Sequence, residues 1–254
     1  MLEFLRTKKY SNAQAFQLLE NFLAMKMLTP EWFHCVDNNL KKMEELLKTG
    51  YIYPLKERDS NGRRTVIIRS KNLDPEKFTS ADAIRVSSLV FATLMEEEET
   101  QIAGFNFIID NADTPMKIIS LFSISDIRNF LQNLKSSSVG RFKSFYVINL
   151  PSYGKLLFDI AKGALSEKLR KRIVIAKDLD ELKTYIDEKQ LPEEYGGVVS
   201  EKEMLENFKE LTEKHRVNLE KLNDLNLDLH LLPGKNQKSS VQETIGSFRK
   251  LDID

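Results

Sequence analysis

One cysteine, Cys35, stands in 254 residues. No internal disulfide can form, and a reducing compartment is expected. Histidine is nearly as scarce: His34, His215 and His230 are scattered, without the spacing of a metal-ligand set. Cys35 beside His34 makes no pair, because successive helical residues face different ways. Each histidine is read as a surface or packing residue, and no metal is expected. The chain has no Gly-x-Ser-x-Gly elbow, no Gly-x-x-x-x-Gly-Lys phosphate loop and no Gly-x-Gly-x-x-Gly fingerprint. Those absences remove a nucleophile elbow and a nucleotide cradle, so no catalytic residue, no cofactor and no enzyme is expected. There is no excess of either charge, with 38 Lys plus Arg against 38 Asp plus Glu, and nucleic acid is not expected as a partner. No apolar run approaches the ~20 residues of a membrane span. No basic segment followed by a sustained apolar one opens the chain, so no signal peptide is expected. Together these absences predict a cytoplasmic protein.

What is present alternates between two periods. Asn12–Met27 has helical spacing, with Ala13, Phe16, Leu19, Phe22 and Leu23 on one face. Thr29-Pro30 starts a second helix, which Gly50 ends after Lys48. Arg63–Arg69 follows a turn cluster and has strand character, as has Gly104–Asp110, where Phe105, Phe107 and Ile109 share a face. Asp110 is read as a turn or cap residue, since no partner for catalysis lies near it. Helices are expected over Ser80–Leu94 and Ser125–Lys135, the second with Ile127, Phe130, Leu131 and Leu134 inward. Glu96–Glu99 between them is read as a solvated face. Ile173–Ala176 is a fourth short strand, Asp178 caps a helix ending near Asp187, and Ser200–Leu225 is one long charged helix. Strands alternating with helices predict an α/β class with largely parallel pairing.

The run from Arg141 to Arg172 organises the rest. Ser144–Leu150 is a short apolar strand that Pro151 stops. Beyond it Tyr153, Leu156, Leu157, Ile160, Ala161 and Ala164 recur at helical spacing, while Lys155, Asp159 and Lys162 fall opposite. A basic stretch follows, in which Lys168 and Arg172 share a helical face. Arg141 and Lys143 point one way as the chain enters the strand. On these residues alone two readings stay open: a greasy cavity beside an anion site, or a buried strand, a packed helix and a solvated charge run.

This run resembles the gate region of the CRAL-TRIO lipid-transfer family. Leu191-Pro-Glu-Glu-Tyr-Gly-Gly197 is similar to the family's closing signature, and Phe4-Leu-Arg-Thr-Lys-Lys-Tyr10 to the opening of its helical module. The resemblance extends from about Phe4 to the end, and Gly246–Leu251 is similar to the tails of invertebrate members. It implies a helical amino-terminal module (1–48, shortened because Phe4 stands so near residue 1), a lipid-binding domain (49–199), and a carboxy-terminal helix and tail (200–254). The module packs on a largely parallel sheet flanked by helices, with a hydrophobic cavity under a gate helix. Strand parity and helical spacing give the expected wall: Phe105, Phe107, Ile109, Phe145 and Val147 below, Leu157, Ile160, Ala161 and Ala164 above, and Ile127, Phe130, Leu131 and Leu134 at the side. The resemblance further implies that Arg141, Lys143, Lys168, Arg172 and Lys26 bind phosphoinositide head groups. The expected function is a carrier of one small tocopherol-, retinoid- or carotenoid-like lipid, exchanged at a transiently contacted membrane surface. The alternative is a phosphoinositide-reading regulatory or scaffolding module without cargo.

Overall fold

The structure, a computed structural model, describes residues 1–33 and 40–225. His34, Cys35, His230, the middle of the second expected helix (34–39) and the Gly246–Leu251 tail lie outside the described residues. The amino-terminal helices are α1 (Leu2–Thr7), α2 (Asn12–Leu28), α3 (Pro30–Phe33) and α4 (Leu40–Lys48). Helix α2 turns a different side inward from the one expected: Ala15, Leu18, Ala24 and Met25 are buried, whereas Phe16 is 58% exposed. Its apolar residues go most of the way round, so periodicity defines no single face. The choice falls to packing, with Ala15 and Leu18 against Phe4 of α1.

Five strands make one sheet in the order β1 (Ile52–Pro54), β2 (Arg64–Arg69), β3 (Phe105–Asp110), β4 (Phe142–Ile148) and β5 (Ile173–Ala176). The first pair is antiparallel and the other three are parallel. β1 has only three residues, too few for a pattern to announce it. β4 begins two residues earlier than the sequence indicates because of a register shift beside Phe105: Phe105 pairs with Phe142, but Asn106 pairs with Ser144. Lys143 is the extra residue, and this bulge puts both Phe142 and Phe145 on the side of Phe105 and Phe107. Phe107 and Phe145 stack with centroids 4.9 Å apart.

Each face of the sheet is covered. On the front, Val66, Phe105, Phe107 and Phe142 meet Val86, Leu89, Val90 and Leu94 of α5 (Ser80–Met95). Thr79 and Asp82 close a capping box at its start. α6 (Glu98–Ala103) leads into β3, and α7 (Met116–Leu121) and α8 (Ile124–Ser136) follow it, α8 with a Ser123–Asp126 capping box. After β4 come α9 (Lys155–Ala164), α10 (Glu167–Arg170) and, past β5, α11 (Leu179–Lys183), shorter than expected but capped by Asp178. On the back, Ile67, Ile108, Tyr146 and Ile148 pack on Leu182, Leu191, Tyr195 and Met204.

The expected single helix over Ser200–Leu225 is two, α12 (Glu201–Lys214) and α13 (Arg216–Asp224), broken at His215. The break lets Leu219 of α13 join Phe208 of α12 in the front cluster. The Leu191–Gly197 turn is anchored from inside. Tyr195 donates its hydroxyl proton to buried Asp110, which also accepts from Asn149 Nδ2 (2.8 Å) and the Ala112 amide (2.9 Å). Burial, then the hydrogen bond to Asp110, pushes the Tyr195 hydroxyl pKa far up. A Cβ on Gly197 would lie 1.7 Å from the Leu191 carbonyl oxygen, so only glycine fits there.

Candidate functional site

A cavity of about 130 Å³ lies on the front of the sheet, lined by residues of α2, α5, α8 and α13. Phe91, Phe142, Phe22, Leu219, Phe130 and Leu134 give it apolar walls. The last two are expected wall residues. Of the other expected wall residues on the strands, Phe105, Phe107 and Val147 are buried and Ile109 and Phe145 half-buried, and none of the five borders this cavity. Ile127, Phe130, Leu131 and Leu134 are half-buried too, and α8 has no fully buried side chain. An amphipathic helix inside a protein normally buries its stripe; this one buries its stripe only in part.

Helix α9 does not roof the cavity. It touches α8 and the turn before it. Leu156 and Ile160 are 70% and 60% exposed, Ala164 is exposed and Ala161 half-buried. For Leu157 only the backbone position in α9 is described. The expectation that Ile160, Ala161 and Ala164 cover the strand wall residues is therefore corrected for this conformation. The outer side of α9 is more apolar than the sequence pattern implies, because the helix stands aside from the sheet. Pro151 precedes it, and a Cβ on Gly163 would meet nothing within 4 Å.

A second cavity, about 500 Å³, opens between α4, α5 and α12 over Leu47, Leu89, Leu205 and Phe208. Leu219 borders both spaces, so α13 is the partition between them. Nothing in the sequence pattern signals this space, because its walls come from three distant segments.

The cations divide. Arg141, Lys143, Lys168 and Arg172 come together where β4 begins and α10 ends. Burial, and after it the charges of Arg63, Arg141, Arg172 and Lys168, holds the Lys143 ammonium below the ordinary lysine value. Burial and Lys168 do the same to Lys8. Lys8 and Arg63 thus belong to the cluster, although sequence spacing gives no sign of it. Arg63 has Asp59 at 3.9 Å. Among the described residues, Lys8, Arg141, Lys143, Lys168 and Arg172 form no ion pair. Lys26 lies elsewhere, and its expected place in the anion site is corrected. It is 4% exposed, reaches the first cavity, and donates from Nζ to the Leu222 and Leu225 carbonyls, both at 2.6 Å. The rotated face of α2 carries it inward, where its charge suits the carboxy-terminal end of α13.

Glu96–Glu99 is also only partly a solvated face. Glu97 receives Arg64 Nε (2.9 Å) and Arg58 Nη2 (2.9 Å). Burial pushes its carboxyl up, but the Arg64 hydrogen bond and charge outweigh this and hold it below the usual 4.5.

No helix among the described residues is long and apolar enough to cross a membrane. The CRAL/TRIO domain model matches residues 48–197. Clavesin-1 of Xenopus laevis is 30% identical over 200 residues, covering 78% of this chain and 60% of that protein. Clavesin-2 of Homo sapiens is 29% identical over 200 residues, 78% of this chain and 61% of that protein. The chain thus spans about three fifths of the length of these relatives. The crystal structure of Sfh5 superposes with a TM-score of 0.56 at 15% identity, over 80% of this chain and 73% of that one. That likeness shows a shared fold.

Proposed function

The chain belongs to the CRAL-TRIO family of lipid-binding and lipid-transfer proteins, and from that premise we propose that it carries one small hydrophobic lipid through the cytoplasm. It exchanges this cargo at phosphoinositide-containing membranes, which it contacts transiently. The family's members are lipid-transfer proteins rather than enzymes, and we extend that to this chain. In this reading residues 1–48 brace the lipid-binding domain 49–199, and 200–254 contributes the partition helix α13.

The observation that carries the reading is the half-buried apolar stripe of α8, whose Phe130 and Leu134 line a cavity together with Phe91 and Phe142. Apolar surface left open is unfavourable in water, and a lipid laid against it removes that cost. Covering ~400 Å² contributes on the order of 10 kcal/mol before the entropy of binding is subtracted. The cavity of about 130 Å³ is smaller than the ~300 Å³ at which ligand pockets begin. Loading therefore requires the walls to part and α9 to swing over the filled space. Leu156 and Ile160, exposed here, become covered either by that swing or by a membrane.

The anion site in this proposal is Arg141, Lys143, Lys168 and Arg172, without Lys26. Cations near an anionic leaflet contribute about 1 kcal/mol each, which gives reversible docking rather than anchoring. A head group bound by Lys168 and Arg172 pulls on the end of the segment that begins with α9. One observation favours the alternative of a phosphoinositide-reading module without cargo, namely the small size of the first cavity. The pair Lys168→Glu, Arg172→Glu separates the elements of the proposal. We expect the variant to keep bound lipid, while phosphoinositide in acceptor vesicles no longer accelerates transfer. Undiminished stimulation removes the cluster from the docking site.

A further inference from the structure

The basic cluster has an apolar border that the reading above does not use. Arg141 donates from Nη1 to the Ile102 carbonyl (2.8 Å) and from Nη2 to the Arg6 carbonyl (2.7 Å). One guanidinium thus holds the end of α6 and the end of α1 at the edge of the patch. Ile102 is 52% exposed and Tyr10, four residues beyond Arg6, is 61% exposed. Phe16 follows in the first turns of α2, on the side that packing leaves in water. Lys9 and Tyr10 have φ of +52° and +65°, the left-handed region that residues other than glycine enter only at a cost. The turn is closed by the Tyr10 amide donating to the Leu5 carbonyl at 2.7 Å.

The nearby acids are matched elsewhere, Glu98 by Arg6 and Glu99 by Arg58 at 3.0 Å. What remains is a cationic patch fringed by separate apolar side chains. None of Tyr10, Phe16 and Ile102 borders either cavity described above. A membrane surface fits scattered tips of this kind without a shaped pocket. It takes aromatic and aliphatic tips into its head-group layer beside cations that meet its phosphates.

We propose that Tyr10, Ile102 and Phe16 form a second membrane contact, entering the head-group layer of an anionic leaflet while Lys8 and the Arg141–Arg172 cluster hold its phosphates. The inference rests on the docking reading above and extends it to the amino-terminal module, so that the module takes part in membrane recognition as well as in bracing the domain.

A Tyr10→Trp variant reports on this directly, because the native Trp32 is only 2% exposed and contributes a constant signal. The probes are phosphatidylcholine vesicles with and without phosphatidylserine, and soluble inositol hexakisphosphate. We expect emission to shift to the blue with the anionic vesicles and to stay put with neutral vesicles and with the soluble phosphate. Tyr10→Ser and Ile102→Ser should each weaken anionic-vesicle binding roughly tenfold at an unchanged melting temperature. An unmoved spectrum in protein that sediments with the vesicles overturns the contact, as do serine variants that bind like the parent. If the parent binds no anionic vesicle, the docking reading falls together with this one. A blue shift combined with undiminished phosphoinositide stimulation in Lys168→Glu, Arg172→Glu leaves the contact standing and removes only the head-group assignment.

Discussion

Glu97 receives two guanidinium groups, and its chemistry sets a pH limit. Its carboxyl is more acidic in the folded chain than in the unfolded one, so the folded state binds fewer protons at this site. The stabilisation is complete above the ordinary 4.5 and is lost as pH falls through the lower folded value. Glu97→Gln should cost about 2 kcal/mol at neutral pH and flatten the acid limb of a melting-temperature profile; a variant that keeps the parent's acid limb removes Glu97 as its source. Tyr195→Phe keeps the ring but leaves Asp110 without one of its donors, and should cost about 2 kcal/mol in denaturant unfolding. An unchanged midpoint would mean that the short turn holds itself. At this scale the sequence was legible where a residue acts locally. The bond from the Ala112 amide that makes Asp110 a turn residue, Asp178 as a cap and glycine at 197 all follow from near neighbours, whereas the Tyr195 and Asn149 bonds to Asp110 do not. Lys26, Lys8, Arg63 and Glu97 were not legible, because their partners are brought by packing from distant segments.

Helix α9 is half uncovered, preceded by Pro151, carries Gly163 in its last turn, and is attached to α8 and to the turn before it. Such an element belongs to the low-stability end of a fold and is suited to move. Filling the cavity should bring α9 over it, so amide exchange across residues 155–164 should slow when lipid is bound. Tying α9 to the body through a pair of engineered cysteines should halt lipid exchange and retain bound lipid. Exchange at the parent's rate in the tied protein contradicts a moving α9. The existence and period of this helix were visible in the sequence, as were those of α5, α8 and the inner strands, whose apolar residues repeat clearly. Its placement was not, since spacing says which residues share a face and not what that face meets. The same gap explains α2, whose apolar residues offered several faces, and the long helix that breaks at His215 without a glycine or proline to mark it.

The described residues form a sheet with a packed core cluster on the back and space left on the front. The back closes over Tyr195 and Met204; the front leaves space beside α8 and again beyond α13. A protein that only braced other surfaces would gain stability by filling both, since packed interiors tolerate few voids. The α/β class and the parallel strand pairing were readable from alternating periods. The position of the empty space was not, since it depends on how α2, α8 and α13 meet. The account turns on whether that space is filled by cargo. The direct measurement is mass spectrometry of an organic extract of the freshly purified chain, compared with the same protein under native conditions. The account predicts one dominant hydrophobic lipid, close to one per chain, lost on mixing with phosphoinositide-containing acceptor vesicles. A chain that yields no lipid, yet still binds those vesicles, contradicts the carrier and leaves the phosphoinositide-reading module.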